Sequence, residues 1–159
     1  MAQAKVKQRF FDVDMPIINK ETQAYAFSLE SLNGRTIAYD LTRLLRGKSI
    51  LLKLRVRIVS DANGTKATSD PVELLVLPFF IRRMMRKGTN YVEDSFSAPC
   101  KDGKVRIKPF LITRKKVSRA VRKALREKAR EELTNYVKDK DTVVIFDEII
   151  KNKIQKTYF

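Results

Sequence analysis

Seventeen Lys or Arg residues lie between Ile81 and Arg130, against four acids, Glu93, Asp94, Asp102 and Glu127. This stretch carries +13 of the chain's net charge of +16; residues 1–80 add +4 and residues 131–159 contribute −1. Such self-repulsion gains a monomeric domain little, so the block constrains any fold to leave these side chains in water or against an opposite charge. A concentrated basic field on a folding domain is the footprint of a polyanionic partner, and nucleic acid is the polyanion expected.

At 159 residues the chain is long enough to bury a core without staples. Fourteen aromatics recur along it, with 43% apolar residues overall, which sets it apart from a disordered tail. The sequence contains no histidine, so Ser-His and Cys-His nucleophiles and imidazole metal sites are excluded. Lone Cys100 excludes an internal disulfide framework and a Cys-rich zinc site. Basic Met1–Lys7 is followed by Asp12 and Asp14 rather than by a secretory apolar stretch. The longest apolar run, Leu74–Ile81, contains Pro78 and falls far short of the roughly 18 residues of a membrane span. A soluble, cytoplasmic protein with no cofactor, no metal and no membrane partner is expected.

Residues 1–20 read as an extended N-terminal arm, which Phe10, Phe11 and Val13 would anchor, and residues 21–159 as a single α+β domain. Tyr25, Phe27 and Leu29 alternate with Ala26, Ser28 and Glu30 at the period of a half-buried strand. Asn33-Gly34 marks a turn, Thr36–Leu41 a second strand, and Leu51–Ser60 the clearest alternation. There Leu52, Leu54, Val56 and Ile58 share one face and Lys53, Arg55 and Arg57 the other. Asn63-Gly64 suits a hairpin. Pro78 fits the first turn of a short basic helix running to about Lys87, with Gly88 as its stop and Phe80, Ile81, Met84 and Met85 inward. YVEDSFSA and VRIKPFLIT read as two strands joined across Lys101-Asp102-Gly103-Lys104. Arg114–Lys138 predicts a long amphipathic helix, its stripe running through Val117, Val121, Leu125, Ala129, Leu133 and Val137. A C-terminal helix capped by Asp141 or Thr142 buries Val144, Ile145, Ile149 and Ile150.

Two basic clusters carry the candidate chemistry. Arg82, Arg83, Arg86 and Lys87 form two pairs one helical turn apart, a spacing that meets successive phosphates through bidentate guanidinium contacts. Arg114, Lys115, Lys116, Arg119, Arg122, Lys123 and Arg126 flank the stripe of the long helix, and Lys108 lies on the strand between the clusters. The alternatives are a solvated surface, a membrane-surface helix or a calmodulin-type target. The stripe is rich in Ala and Val, which suits packing on a sheet better than insertion into lipid. The signatures of an RRM, a KH loop and a zinc finger are absent, so backbone and shape recognition of folded RNA is expected over base reading. Phe79, Phe80, Phe96 and Phe110 sit on apolar phases and are expected in the core rather than stacked on bases. The acidic pairs Asp12/Asp14, Glu93/Asp94 and Glu131/Glu132 do not converge on a metal by local geometry, and Cys100 beside Lys101 reads as an ordinary loop residue. A Mg-dependent nuclease and a free-standing single-strand binder stay open as other functions.

The order of these pieces resembles a known family. IRRMMRKG, YVEDSF, the KDG turn and TRKKVSRAVRKALREKAREEL follow one another as in the S-three-Ae family of archaeal and eukaryotic small-subunit ribosomal proteins. Arg119, Val121, Arg122 and Lys123 occupy its Arg-x-Ile-Arg-Lys pattern, RFFDVDMP resembles its N-terminal arm and YAFSLESLNG its first strand. The likeness spans residues 9–155. Phe10 stands where the family usually has Trp, and Lys104 where it has an aromatic; members commonly continue past the last helix, whereas this sequence stops at Tyr158-Phe159. The resemblance implies a β-barrel-like mixed sheet with packed helices. It also implies a structural role on the platform of the small subunit near the messenger exit, with ribosomal RNA and neighbouring ribosomal proteins as partners, messenger RNA nearby, and a part in translation.

Overall fold

The computed structural model describes residues 7–45, 49–61 and 64–158. The chain gathers into two compact units, Met1–Leu77 and Pro78–Phe159.

Unit 1 is built on one mixed sheet of five strands. They are β1 (Arg9–Met15), β2 (Lys20–Ala26), β3 (Thr36–Asp40), β4 (Ile50–Asp61) and β5 (Gly64–Val76), in the spatial order β2-β1-β5-β4-β3. The sheet curls into a half-barrel, in keeping with the α+β, barrel-like expectation. β1 lies within the stretch expected as an arm. Its alternation decides this: Val13 and Met15 are fully buried while Arg9, Phe10, Asp12 and Asp14 face outward. β2 begins and ends earlier than the alternation at Tyr25–Leu29 suggested, because Glu30–Leu32 closes into a short 3₁₀ turn that buries Leu32. On β4 the expected face is inward, with Leu52, Leu54 and Val56 essentially inaccessible.

The centre of the sheet is β5, which pairs antiparallel with β4 and parallel with β1 through Val13–Ala67 and Asp14–Thr68. A bulge between Lys53 and Leu54 accommodates Pro71, which has no N–H to give to the ladder. Buried Ser69 donates from Oγ to the Asp14 carbonyl at 2.9 Å, fastening the parallel pair. Val13, Ala26, Leu32, Val56 and Ala67 form the core beneath, joined at its edge by Phe11, Ala24, Leu29 and Ile37. The outward charges of β4 are largely balanced: Lys53 meets Glu73 at 2.6 Å and Arg57 meets Asp70 at 3.5 Å.

Unit 2 begins with α1 (Pro78–Met84), followed by β6 (Tyr91–Glu93), β7 (Phe96–Cys100), β8 (Gly103–Ile107) and β9 (Phe110–Ile112). The two strands expected here are four. Asp94-Ser95 and Lys108-Pro109 interrupt them, so that β6 pairs with β9 and β7 with β8 in separate two-stranded sheets. α2 (Arg119–Lys138), α3 (Thr142–Ile150) and α4 (Lys153–Tyr158) complete the unit. Ala98, Cys100, Val137 and Ile145 form its core, so Cys100 is a buried strand residue rather than a loop residue. Of the inward set expected on α3, Ile145 is buried, Ile149 and Ile150 are half-buried, and Val144 is exposed.

Polar ties set α2 and α3 against the strands. The Asp94 carboxylate accepts two hydrogen bonds from the Arg130 guanidinium, at 2.9 and 3.0 Å, and that guanidinium also lies 5.4 Å from the Phe96 ring. Asp102, in the β7–β8 turn, accepts from the Thr142 N–H at 3.2 Å, and the Lys101 N–H donates to the Lys140 carbonyl at 3.1 Å. Glu148 accepts from the Lys140 ammonium at 2.6 Å and the Tyr136 hydroxyl at 2.5 Å.

Replacing Ser69 by Ala leaves the Asp14 carbonyl without its partner at a buried seam. A loss of about 1–2 kcal/mol is expected in urea unfolding, with the slope unchanged. Hydrogen bonds from Arg130 hold the Asp94 carboxyl below its usual range, and those from Lys140 and then Tyr136 do the same for Glu148. A depressed folded pKa stabilises above the unfolded value, roughly 4, and that stabilisation disappears as pH falls through the lowered folded values. The melting temperature is therefore expected to fall below about pH 4. Glu148→Gln should melt lower at pH 7 and show a shallower acid limb in scanning calorimetry.

Candidate nucleic-acid interface

All twelve cations singled out in the sequence belong to unit 2. Arg82, Arg83, Arg86, Lys87, Lys108, Arg114, Lys115, Lys116, Arg119, Lys123 and Arg126 are exposed, and Arg122 is half-buried. They do not all stand on the elements expected. α1 ends at Met84, so Arg82 and Arg83 occupy its last turn, where cations complement the helix dipole, and Arg86 and Lys87 belong to the turn that follows. That turn is fixed by Gly88 at φ +87° and by the Thr89 hydroxyl, which donates to the Arg86 carbonyl at 2.8 Å. Met84 and Met85, expected inward, are each 40% exposed; Met84 is the last residue of α1 and Met85 lies beyond it.

α2 starts five residues later than its stripe suggested. Three cations in succession at Arg114–Lys116 would sit on the positive end of a helix dipole, which opposes helix formation there. Ser118 is the cap, its hydroxyl accepting from the Val121 N–H at 3.3 Å. Arg114–Val117 is instead a loop held by Asn90. The Asn90 side-chain carbonyl accepts from the Val117 N–H at 2.9 Å, and its backbone carbonyl accepts from the Thr113 N–H at 2.9 Å. The Thr113 hydroxyl accepts from the Asn90 N–H at 3.0 Å and lies 2.7 Å from the Lys115 carbonyl.

Asn90 follows the Arg86–Gly88 turn by two residues, so this clasp brings the first basic cluster beside the loop of the second. Sequence reasoning missed both Asn90 and Thr113. Neither belongs to a charge run or a periodic pattern, and their roles rest on backbone groups 23 to 27 residues away.

Further along α2 the burial is graded. Ala129, Leu133 and Val137 are buried, whereas Val121 is 46% exposed and Ala120 and Ala124 are exposed too. The first half of the helix therefore offers Arg119, Lys123 and Arg126 to solvent; Lys123 is partly balanced by Glu127 at 3.8 Å. Arg122 differs from the flanking position expected, since its Nε is buried with no hydrogen-bond partner among the described residues. Of the aromatics expected in the core, Phe79 is 58% exposed and Phe80 packs beneath Arg83 at 5.1 Å. Among the described residues no three His, Cys, Asp or Glu side chains are grouped to hold a metal, and no helix is long and apolar enough to cross a membrane.

The sequence matches the Ribosomal S3Ae family over residues 3–159. The chain belongs to that family. Two curated relatives are small ribosomal subunit proteins eS1. The one from Pyrobaculum neutrophilum is 26% identical over 122 residues, covering 76% of this chain and 54% of the relative. The one from Methanothermobacter thermautotrophicus is 29% identical over 104 residues, covering 65% and 53%. This S3Ae chain thus spans about half the length of the curated relatives it matches. By name both relatives are proteins of the small ribosomal subunit, which speaks against the nuclease reading.

Within the S3Ae chain the clasp makes a direct prediction. Asn90→Ala should speed amide exchange at Val117 at least ten-fold while the amides of α2 from Leu125 onward keep their protection. Unchanged exchange at Val117 would remove Asn90 from its positioning role.

Proposed function

We propose that this S3Ae chain is a structural constituent of the small ribosomal subunit that grips ribosomal RNA through phosphates. The observation that carries the reading is the clasp at Asn90 and Thr113, which draws Arg86 and Lys87 beside Arg114, Lys115 and Lys116 without acidic partners among the described residues. Arg82, Arg83 and Lys108 extend the field before and between these clusters, and Arg119, Lys123 and Arg126 continue it along α2. Arg122 is the weakest member, since its Nε is turned away from solvent. Cations held by backbone bonds position an RNA without reading its sequence. Membership of the family supports the ribosome as its place in the cell. On the same reading it sits on the platform near the messenger exit, with messenger RNA nearby and other small-subunit proteins as neighbours, and supports translation.

Neutralising six to ten phosphates makes affinity for folded ribosomal RNA fall about 10³- to 10⁵-fold between 50 and 200 mM salt. Changing Arg114, Lys115 and Lys116 to Glu should reduce the salt slope by about three. Changing Arg82, Arg83 and Arg86 to Glu should abolish incorporation into small-subunit particles on a sucrose gradient with the fold intact. Normal incorporation of that variant would remove α1 and its following turn from the interface, and a wild-type chain left at the top of the gradient would overturn the ribosomal reading.

A further inference from the structure

Beside the clasp lies a feature that phosphate binding does not use. Tyr91, the first residue of β6, and Phe110, the first of β9, stack at 5.5 Å between ring centroids with 18° between their planes. In the register of the pair, Tyr91 stands opposite Ile112 and Phe110 opposite Glu93, so the rings meet diagonally across one face. Val92, between them in sequence, points the other way and is buried. Tyr91 is 52% exposed, so Phe110 supports one side of its ring while the rest is open to solvent.

A half-exposed ring backed by a second ring leaves a π-face on which a further flat ring can stack. The surrounding charge indicates what that ring is. Tyr91 adjoins Asn90, and Ile112 opposite it leads directly into Thr113 and the loop Arg114–Lys116. The open ring is therefore flanked by the most crowded cations of unit 2. Glu93 occupies the far end of the same face, where it repels a phosphate and leaves the cationic end as the one a sugar-phosphate backbone can take.

We infer that Tyr91, backed by Phe110, is a stacking platform for one unpaired RNA base whose flanking phosphates lie on Arg114, Lys115 and Lys116. The inference rests on the phosphate-gripping reading and sharpens it: the RNA bound here has a splayed nucleotide and is not a continuous duplex. A paired base has both faces covered by its neighbours, whereas an unpaired one offers a π-face that an aromatic ring accepts whatever its identity.

The test uses the full chain and two RNA probes of equal phosphate count, a ten-nucleotide single strand of mixed sequence and a fully paired duplex. The natural chain has no tryptophan, so Tyr91→Trp provides a unique fluorescent reporter at the platform. Expected are quenching of that reporter by the single strand and not by the duplex, and about ten-fold weaker single-strand binding for Tyr91→Ala with duplex binding unchanged. Tyr91→Phe should keep the wild-type preference. Equal binding of both probes, an unquenched reporter and an inert Tyr91→Ala would overturn the platform while a steep salt dependence left the phosphate reading standing. Absence of salt-sensitive binding to either probe would overturn both. If Tyr91→Ala leaves RNA binding intact but strips a protein from small-subunit particles, the platform faces a protein and the inference is wrong.

Discussion

Cations crowded on one face repel one another, and the repulsion grows as the loop that bears them is ordered. The pairs that unit 2 does form, such as Arg130 with Asp94 and Lys140 with Glu148, lie almost wholly outside the crowded set. Among the described residues, Lys123 is the one member of the candidate set with an acidic group within 4 Å. What holds the crowd in place is neutral: the amide of Asn90 and the hydroxyl of Thr113, satisfying backbone groups on both sides of the basic loop. Because the ties go to backbone, the guanidinium and ammonium groups keep their hydrogen-bonding capacity for a partner. Arg130 on Asp94 and Lys140 on Glu148 instead tie elements of the unit to one another and involve no cation of that loop.

The division of labour follows the sequence. In unit 1 two of the three outward cations of β4, Lys53 and Arg57, are paired with acids of β5. In unit 2 ten acids stand against twenty-two Lys and Arg, and two of those acids are spent on architecture. Asp94 fixes α2 through Arg130, and Asp102 reaches the first turn of α3. The segregation of free charge from locked charge gives the basic surface a defined shape instead of a diffuse field.

Much of this was legible before any coordinates. β4 declared itself by strict alternation, Asp141 marked the true start of α3, and the charge block marked the exposed cations, whereas α1 stops at Met84, four residues short of Gly88. β5 was hidden, because GTKATSDPVELLV carries polar residues and a proline at the place where a central strand is ordinarily apolar; Ala67 and Ser69 are its only buried side chains among those described. The start of α2 was misjudged because periodicity is blind to the dipole and to a hydrogen bond from a residue 27 positions away. Arg122 looked like its neighbours on the helical wheel, and only packing separates it from them. Tyr91 escaped notice because a three-residue strand is too short to show a period.

The parallel seam between β1 and β5 also bears on how the chain comes to be folded. Val13 cannot meet Ala67 until more than fifty residues have followed it, so the β1–β2 ribbon must wait with one edge unpaired while β3 and β4 are made. Closing so long a loop costs entropy before any contact rewards it. For as long as that wait lasts, the exposed pair Phe10 and Tyr25, only 4.9 Å apart, lies on a ribbon with an open edge. β5 is thus the strand that joins the β1–β2 ribbon to β4 and β3, and its Ala67 completes the core made with Val13, Ala26, Leu32 and Val56.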